Sequence, residues 1–226
     1  MISDNLSNFF QKLKQDREFF LPVTNDSSTI GFLKPITFFD VENDSIIKIL
    51  KDWRNQNIGA YLDQKKVTLK GTRKWLEDHI LKNPTKILFF LNSVGGIPIG
   101  HMGLANGLKI LNSIEVDNIV RGKINFKNGL ITLALNDLIN WAFNSFGYQK
   151  IYLRVFSDNM RAINLYNRLR FKEKKKYALG CKFEKNIKKF FILDKDVESE
   201  KYFSYMELQK ADHFFNYNNI KDYKKK

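Results

Sequence analysis

Cysteine is almost absent from the sequence, since Cys181 is the only one among 226 residues. A single cysteine excludes an internal disulfide framework and any cysteine-rich metal site. Long apolar runs are absent as well, and none approaches the roughly 18–20 residues that a helix needs to cross a bilayer. The N-terminal residues mix charges with apolar side chains, unlike a secretory signal peptide. We therefore expect a soluble cytoplasmic protein without a membrane partner.

Acidic residues are scarce relative to basic ones, with 24 Asp and Glu against 38 Lys and Arg and a net charge of +14. Such an excess is typical of nucleic-acid-binding proteins and of enzymes whose ligands carry several phosphates. A lysine-rich bias spread over solvated faces is a third interpretation. The lysine clusters lie in the last third of the chain, outside any nucleic-acid motif. The charge alone therefore identifies no partner, and nucleic acid is not favoured.

The length allows one domain with a sizeable core. Residues 1–28 read as a short amphipathic helix and a polar stretch, which predicts an N-terminal extension that packs on the main body. The main domain is expected over residues 29–210. Residues 211–226 are polar, aromatic and lysine-rich, as in a loosely attached basic tail.

Helix and strand patterns alternate within the main domain. Their order is strand, two helices, three strands, a central helix, a strand, a helix and two strands, which predicts an α/β (α+β) fold. Two apolar runs around Gly95-Gly96 indicate a β-hairpin. The central helix is predicted over residues 128–146, because its apolar residues recur at steps of three and four and Gly147 follows its end.

The start of the central helix has chemistry suited to phosphate. A helix N-terminus presents unpaired N–H groups and the positive end of the helix dipole, so it can hold a pyrophosphate. A glycine there lets the backbone approach the phosphates closely. The amides concerned would be those of Asn128, Gly129, Leu130 and Ile131. Many helices begin this way without binding anything, so this feature alone is weak.

Downstream, the run from Leu153 to Tyr166 resembles the pattern of a strand, then Asn, Ala and Leu-Tyr, that marks the GNAT superfamily of N-acetyltransferases. The segments Ile99–Leu104 and Trp141–Phe143 are also similar to that superfamily. The resemblance covers roughly residues 30–172 in matching order. Such a run of ordered matches is fairly specific, although any single piece would not be.

The resemblance implies a mixed, splayed sheet of about six to seven strands flanked by about four helices. It also implies acetyl-coenzyme A as co-substrate, without a metal, in a cleft between the fourth and fifth strands. The pantetheine arm would run along the fourth strand at Val116, Ile119 and Val120, much as an added strand would. The amides at 128–131 would take the pyrophosphate.

Three further positions carry implied roles. Asn159 and Ala162 would contact the pantetheine arm, and Tyr166 would protonate the departing thiolate, a role that a phenol suits. Two departures from the family pattern stand out. The segment Phe126–Ile131 keeps only the first glycine of the usual phosphate loop, which bears on donor affinity. Arg170 stands where the family tends to have glycine, which bears on backbone strain.

Transfer to an amine also requires a group that accepts the amine's proton. Glu115 and Asp117 share one face of the fourth strand, and His101 lies on the adjacent strand. We expect Glu115 or His101 to act as the base. Either carboxylate could instead pair with a surface cation, and Tyr166 could be a buried structural tyrosine. His79 has no second ligand three or four residues away, so no metal site is expected.

The acceptor is suggested by a narrower resemblance. The segment 52–55, with sequence Asp-Trp-Arg-Asn, resembles the branch that acetylates amino-sugar nucleotides or protein N-termini, and residues 116–122 resemble enzymes of surface-polysaccharide pathways. Arg54 and Arg73 would attract a nucleotide diphosphate, and Asp117 would contact the substrate. The leading hypothesis is N-acetylation of a nucleotide-activated amino-deoxysugar.

Two alternatives remain open from the sequence. One is acetylation of protein N-termini. The other is a basic GNAT-like module that has lost turnover and binds RNA or a protein, as the degenerate phosphate loop and the positive charge would allow. A homodimer is compatible with the sequence, although no residue requires one.

Overall fold

The computed structural model describes residues 2–26, 28–107, 112–122, 129–185, 187–194 and 197–213. These residues form five α-helices: α1 (Ile2–Leu13), α2 (Asp44–Gln56), α3 (Leu69–Trp75), α4 (Leu130–Phe146) and α5 (Met160–Arg168). Helix α3 continues as a π-helical segment over Leu76–Leu81. Short 3-10 turns lie at Phe38–Asp40 and Ile58–Ala60. None of the helices in the described part of the chain is long and apolar enough to cross a membrane.

Ten strands are formed: β1 (Leu21–Asn25), β2 (Ser28–Pro35), β3 (Asp63–Gln64), β4 (Ile87–Ser93), β5 (Pro98–Ala105), β6 (Ser113–Arg121), β7 (Lys150–Phe156), β8 (Lys172–Glu184), β9 (Ile187–Ile192) and β10 (Tyr202–Gln209). They join in the order β1-β2-β4-β5-β6-β7-β10-β8-β9-β3. The sheet is mixed, because β6 and β7 run parallel while the other neighbours run antiparallel.

The parallel pair is short. Ser113, Ile114 and Glu115 of β6 pair with residues 150–152 of β7, and no later residues of the two strands pair. Strand β7 pairs along its whole length with β10 on its other side. The two halves of the sheet therefore separate between β6 and β7, as the predicted splayed sheet requires.

Helix α4 covers one face of the sheet. Its most deeply buried residues lie at helical spacing and belong to the largest core cluster, and these are Ala134, Leu135, Leu138, Ile139, Ala142 and Phe143. The helix lies between two glycines in the left-handed region, Gly129 with φ 90° and Gly147 with φ 70°. Glycine adopts that conformation without steric cost, so both ends of α4 are set by the sequence.

Helices α2 and α3 cover the other face. They contribute a second core cluster in which Leu50 and Trp53 of α2 pack with Leu76 and the strand residue Phe90. The Asn43 side chain caps α2 by accepting hydrogen bonds from the N–H groups of residues 45 and 46. Thr68 caps α3 in the same way.

The predicted mixed α/β fold is confirmed, although the chain forms more strands than the six to seven expected and more helices than four. The additional strands are β1, β3 and β9. Strand β1 lies partly in the polar stretch that preceded the first predicted strand, β3 has two residues, and β9 lies within a charged segment. Their pairing partners, rather than their own apolar content, determine that they are strands.

The N-terminal segment shares the main core. Leu6, Phe10 and Leu13 of α1 are buried in the same cluster as α4. Strand β1 is held to α4 by Asp137, whose Oδ2 accepts the N–H of Thr24 at 2.9 Å. Burial raises the pKa of the Asp137 carboxyl to about 6, whereas the Thr24 N–H opposes this shift.

Asp137→Asn is expected to stabilise the protein at pH 7, because the amide keeps an acceptor for Thr24 without a buried charge. A raised pKa in the folded state means that the wild type loses stability as pH rises from about 4 to about 6. The melting temperature of the variant should exceed that of the wild type by about 2–4 °C at pH 7 and by little at pH 4. Exposed Asp194 provides the control, and an equal gain from Asp194→Asn would contradict the account.

Candidate active site

A cavity of about 1490 Å³ opens where β6 and β7 separate. Single-ligand pockets usually measure about 300–1,000 Å³, so this cavity has room for two ligands. One half is lined by β6, β7, the start of α4 and α5, and is called the α4–α5 half here. The other half is lined by α2, α3 and their connection, and is called the α2–α3 half.

The strand wall of the α4–α5 half comes from β6. Val116, Ile119 and Val120 line the cavity, and within the described residues β6 does not pair with β7 over residues 116–120. Backbone N–H and C=O groups on this edge of β6 require partners, which an extended ligand can supply.

The start of α4 closes this wall. Gly129, Leu130 and Ile131 all line the cavity. A Cβ added at Gly129 would meet no atom within 4 Å, so a ligand can approach the backbone there. The first-turn N–H groups of α4 have no partner within the helix, as at any helix N-terminus. Asn128, the remaining residue expected here, lies outside the described residues.

Helix α5 supplies the opposite wall with Asn159 and Ala162. The Oδ1 atom of Asn159 caps α5 by accepting the N–H of Ala162 at 3.2 Å. Because that bond uses only the oxygen, the amide NH₂ of Asn159 stays available to a ligand. Arg161 and Arg168 of the same helix also line the cavity, which makes this wall basic.

Strand β6 carries a bulge next to the cleft. Two residues of β6, Asn118 and Ile119, lie opposite one residue of β5, between the pairs Gly103–Asp117 and His101–Val120. Asn118 has φ 54°, in the left-handed region that asparagine tolerates better than most residues. A bulge bends its strand and increases the local twist. The carbonyl oxygen of Asn118 faces His101.

His101 lines the cavity but is buried. Its Nδ1 lies 2.7 Å from the carbonyl oxygen of Asn118 and its ring packs against Trp53. Because a carbonyl only accepts, Nδ1 carries the proton. Burial lowers the pKa of His101 to about 4, while the hydrogen bond to Asn118 acts in the opposite direction. The imidazole is thus neutral at physiological pH and a weak base.

Glu115 is buried at the point where the strands separate. Its carboxylate accepts Arg154 Nε at 2.8 Å and Nη2 at 3.2 Å. Asn106 donates a third hydrogen bond, from Nδ2 to Oε2 of Glu115. This arrangement matches the alternative considered from the sequence, in which the carboxylate pairs with a cation. It argues against Glu115 as the base.

Within the described residues, Asp117 accepts fewer hydrogen bonds than Glu115 and is more exposed. Its side chain is half-buried, lines the cavity and accepts hydrogen bonds from Asn118, and Lys86 Nζ lies 4.0 Å from its Oδ2. Burial raises the pKa of the Asp117 carboxyl, and the Glu115 carboxylate raises it further. Lys86, the Asn118 backbone and Arg154 act in the opposite direction. A carboxylate with a raised pKa is a better proton acceptor than an ordinary one.

Tyr166 of α5 lines the cavity and is 7% exposed. Burial raises the pKa of its phenol, and the negative charge of Asp117 raises it further, so the hydroxyl stays protonated at neutral pH. No hydrogen-bond partner reaches that hydroxyl from the residues that the structure describes.

Residues of the connection between α2 and α3 cover the α2–α3 half. The Arg54 guanidinium lies 3.5 Å from the centroid of the Tyr61 ring and donates from Nη2 to the Asp63 carbonyl at 2.7 Å. The hairpin formed by β8 and β9 contacts this connection. Residues 63–64 pair with 188–189 of β9, and the N–H of Phe190 donates to Leu62 O at 2.9 Å.

Arg73 is not among the residues that line the cavity. Its guanidinium contacts Asp44 and lies 3.7 Å from Glu42, both near the N-terminus of α2. These acidic partners hold it away from the site, unlike Arg54, which lines the cavity as expected.

Several lining residues were missed by sequence reasoning, namely Arg154, Lys86 and Tyr61. Arg154 had a signal, because a charged residue in an otherwise buried strand requires a partner. Lys86 and Tyr61 lie in connecting segments, where periodicity gives no information. Among the described residues, no group of three or more His, Cys, Asp or Glu side chains is arranged to hold a metal ion.

Solved structures share this architecture. A GCN5-related N-acetyltransferase from Brucella melitensis has a TM-score of 0.64 at 14% identity, covering 88% of this chain and 81% of its own. Spermidine N-acetyltransferase from Vibrio cholerae, in complex with CoA and spermine, has 0.60 at 17%, covering 80% and 96%. FdhC, described as a nucleotide-linked sugar GNAT, has 0.62 at 11%, covering 89% and 96%. At these identities the likeness shows the fold.

No curated protein is significantly similar to the sequence. The family model described as "Acetyltransferase (GNAT) domain" matches residues 31–172, which is more than half of the chain. This match and the splayed sheet agree with the resemblance seen in the sequence. The chain therefore belongs to the GNAT family of acetyltransferases.

Proposed function

We propose that this acetyl-coenzyme A-dependent N-acetyltransferase modifies the amino group of a nucleotide-activated amino-deoxysugar. The observation that carries the proposal is the charge of the α2–α3 half. Lys65 and Lys66 line it, and neither has an acidic partner among the described residues. Arg54 lines the same half and adds a third cation. Lys and Arg side chains bind phosphate oxygens through charge-assisted hydrogen bonds.

Two structural neighbours act on different amines. FdhC is described as a nucleotide-linked sugar GNAT, and the Vibrio cholerae enzyme is a spermidine N-acetyltransferase. A polyamine is a polycation, which Lys65, Lys66 and Arg54 would repel. A sugar nucleotide carries a diphosphate, which the same residues would attract. The charge of the acceptor side therefore favours the sugar nucleotide.

The α4–α5 half fits coenzyme A. The unpaired edge of β6 suits an extended pantetheine arm, and the open backbone at Gly129 suits a pyrophosphate at a helix N-terminus. The amide of Asn159 can bind the arm from the opposite wall, next to Ala162. Bound acetyl-coenzyme A supplies the acetyl group as a reactive thioester.

Residues of this chain would then accept the proton of the amine and stabilise the departing thiolate. Asp117 accepts a proton from the substrate ammonium, since its raised pKa favours uptake and its exposed part faces the cavity. Tyr166 donates a hydrogen bond to the sulfur as negative charge develops there. His101 stays neutral and holds the bulge at Asn118 in place. In this scheme Asp117, rather than Glu115 or His101, is the base.

Gly129→Val should weaken acetyl-coenzyme A binding at least about tenfold, measured by titration calorimetry, because a β-branched side chain resists φ 90° and would occupy the phosphate approach. Gly147→Val is the matched control, since it carries the same kind of strain at the other end of α4, and nothing lies within 4 Å of its added Cβ. Equal affinities of the two variants would contradict the donor site.

Tyr166→Phe should lower kcat by about 100-fold, the low end of the range for a proton donor, and leave acetyl-coenzyme A affinity within about twofold. The reason is that only the hydroxyl is removed, while the ring keeps its packing. Tyr177→Phe is the control, because Tyr177 lies outside the cavity lining. A kcat for Tyr166→Phe equal to that of the control would assign Tyr166 a structural role.

Acceptor choice is tested by turnover of acetyl-coenzyme A with a nucleotide-linked amino sugar, spermidine and a peptide with a free N-terminus. The sugar nucleotide should give a kcat/KM at least about tenfold above the others, one decade per 1.4 kcal/mol. Lys66→Glu should reduce that preference, whereas Lys70→Glu, outside the cavity lining, should not. Turnover of spermidine or peptide alone would overturn the proposed acceptor.

A further inference from the structure

We propose that Arg154 is a positioning residue: by binding Glu115 it keeps that carboxylate from accepting a proton, so that Asp117 is the carboxylate that accepts the proton of the substrate amine. This inference rests on the proposed function, in which a substrate ammonium loses a proton in this cleft. It concerns how two neighbouring carboxylates divide their roles.

The geometry of the pair supports the proposal. Glu115 is the last β6 residue paired with β7, opposite Tyr152, and Arg154 lies two residues further along β7. Residues 152 and 154 are two apart in a strand, so their side chains lie on the same face of the sheet. The Arg154 guanidinium therefore reaches Glu115 across the point where β6 and β7 separate. Its Nε and Nη2 atoms lie 2.8 and 3.2 Å from the two carboxylate oxygens. Two-point contacts of this kind fix geometry as well as charge.

Glu115 is poorly placed to take a proton from an amine. Three N–H groups occupy its oxygens, two from Arg154 and one from Asn106, out of about four acceptor positions on a carboxylate. Only 3% of the residue is exposed. A proton on Glu115 would break the charge-assisted contacts and leave the Arg154 charge uncompensated.

Asp117 lies two residues further on the same face of β6. The charged or titratable groups that interact with it are Glu115, Lys86, Arg154, Tyr61 and Tyr166, and neutral His101 lines the same cavity. Of the cations, Lys86 lies 4.0 Å away and favours the ionised form of Asp117 more than Arg154 does. Arg154 acts in the same direction, and its direct pairing with Glu115 compensates the second carboxylate beside Asp117.

Loss of Arg154 has a defined consequence. Two carboxylates without a shared cation cannot both ionise easily, so one proton is retained to higher pH. In Arg154→Met the titration midpoint of Asp117 should rise. The acid limb of the kcat/KM profile should move by the same amount.

The primary readout is a ¹³C NMR titration of the Asp117 carboxyl in the free protein, which requires no acceptor. Arg154→Met should raise the midpoint, and the double variant Glu115→Gln/Arg154→Met should restore it, because the repelling charge is then gone. Arg154→Lys should give an intermediate value, since it keeps charge without the two-point contact. An unchanged midpoint in Arg154→Met, or no restoration in the double variant, overturns the proposal.

A second measurement keeps the test decisive if Arg154→Met fails to fold. Glu115→Gln alone should lower the Asp117 midpoint and reduce kcat less than Asp117→Asn does. The reverse order of kcat losses would make Glu115 the base and overturn the proposal. Failure of the proposed acceptor is distinguishable, because it would abolish turnover of the sugar nucleotide and leave the NMR titrations of the free protein as predicted.

Discussion

The parallel pairing of β6 with β7 covers only residues 113–115 and 150–152, and the site depends on this early separation. Two features lie at or next to the point where the strands separate. The bulge at Asn118 bends β6, and the Glu115–Arg154 ion pair occupies the point where the strands part. The unpaired backbone of β6 then becomes a binding edge rather than part of a closed sheet. Helix α4 begins beside that edge, which places its first-turn amides at the same cleft.

The helices on the two faces of the sheet line different halves of the cavity. Helix α4 contributes to the largest core cluster and lines the α4–α5 half, whereas α2 and α3 contribute to a smaller core cluster and line the α2–α3 half. The β8–β9 hairpin contacts the connection between α2 and α3 through the Phe190–Leu62 hydrogen bond, although β9 lies beyond the family match at residues 31–172. In the proposed function, the residues within the family match supply the donor site and the connection between α2 and α3 supplies the basic acceptor side.

Much of this arrangement could be predicted from the sequence. The apolar period of α4 and the glycines at its ends predicted the central helix, because both act through local backbone chemistry. The resemblance of the run from Leu153 to Tyr166 to the GNAT superfamily implied the splayed sheet and the acetyl donor. Strands β3 and β9 could not be predicted, since β9 forms by pairing with β8 and the two-residue β3 by pairing with β9. The different roles proposed for Glu115 and Asp117 could not be predicted either. Both side chains lie on one face of β6, and what distinguishes them is the contact of Glu115 with Arg154, 39 residues away in the sequence. Arg73 was misleading because nearby acids bind it.

In the proposed mechanism, the cleft between β6 and β7 brings a thioester and an amine together between Tyr166 and Asp117. A crystal structure with coenzyme A and an acetylated sugar nucleotide would show whether it does. We expect the coenzyme sulfur within hydrogen-bond reach of the Tyr166 hydroxyl, the pyrophosphate on the amides at 129–131, and the acetamide nitrogen facing Asp117. Coenzyme A outside the cleft, or an acetamide beside Glu115 with Asp117 turned away, would contradict it.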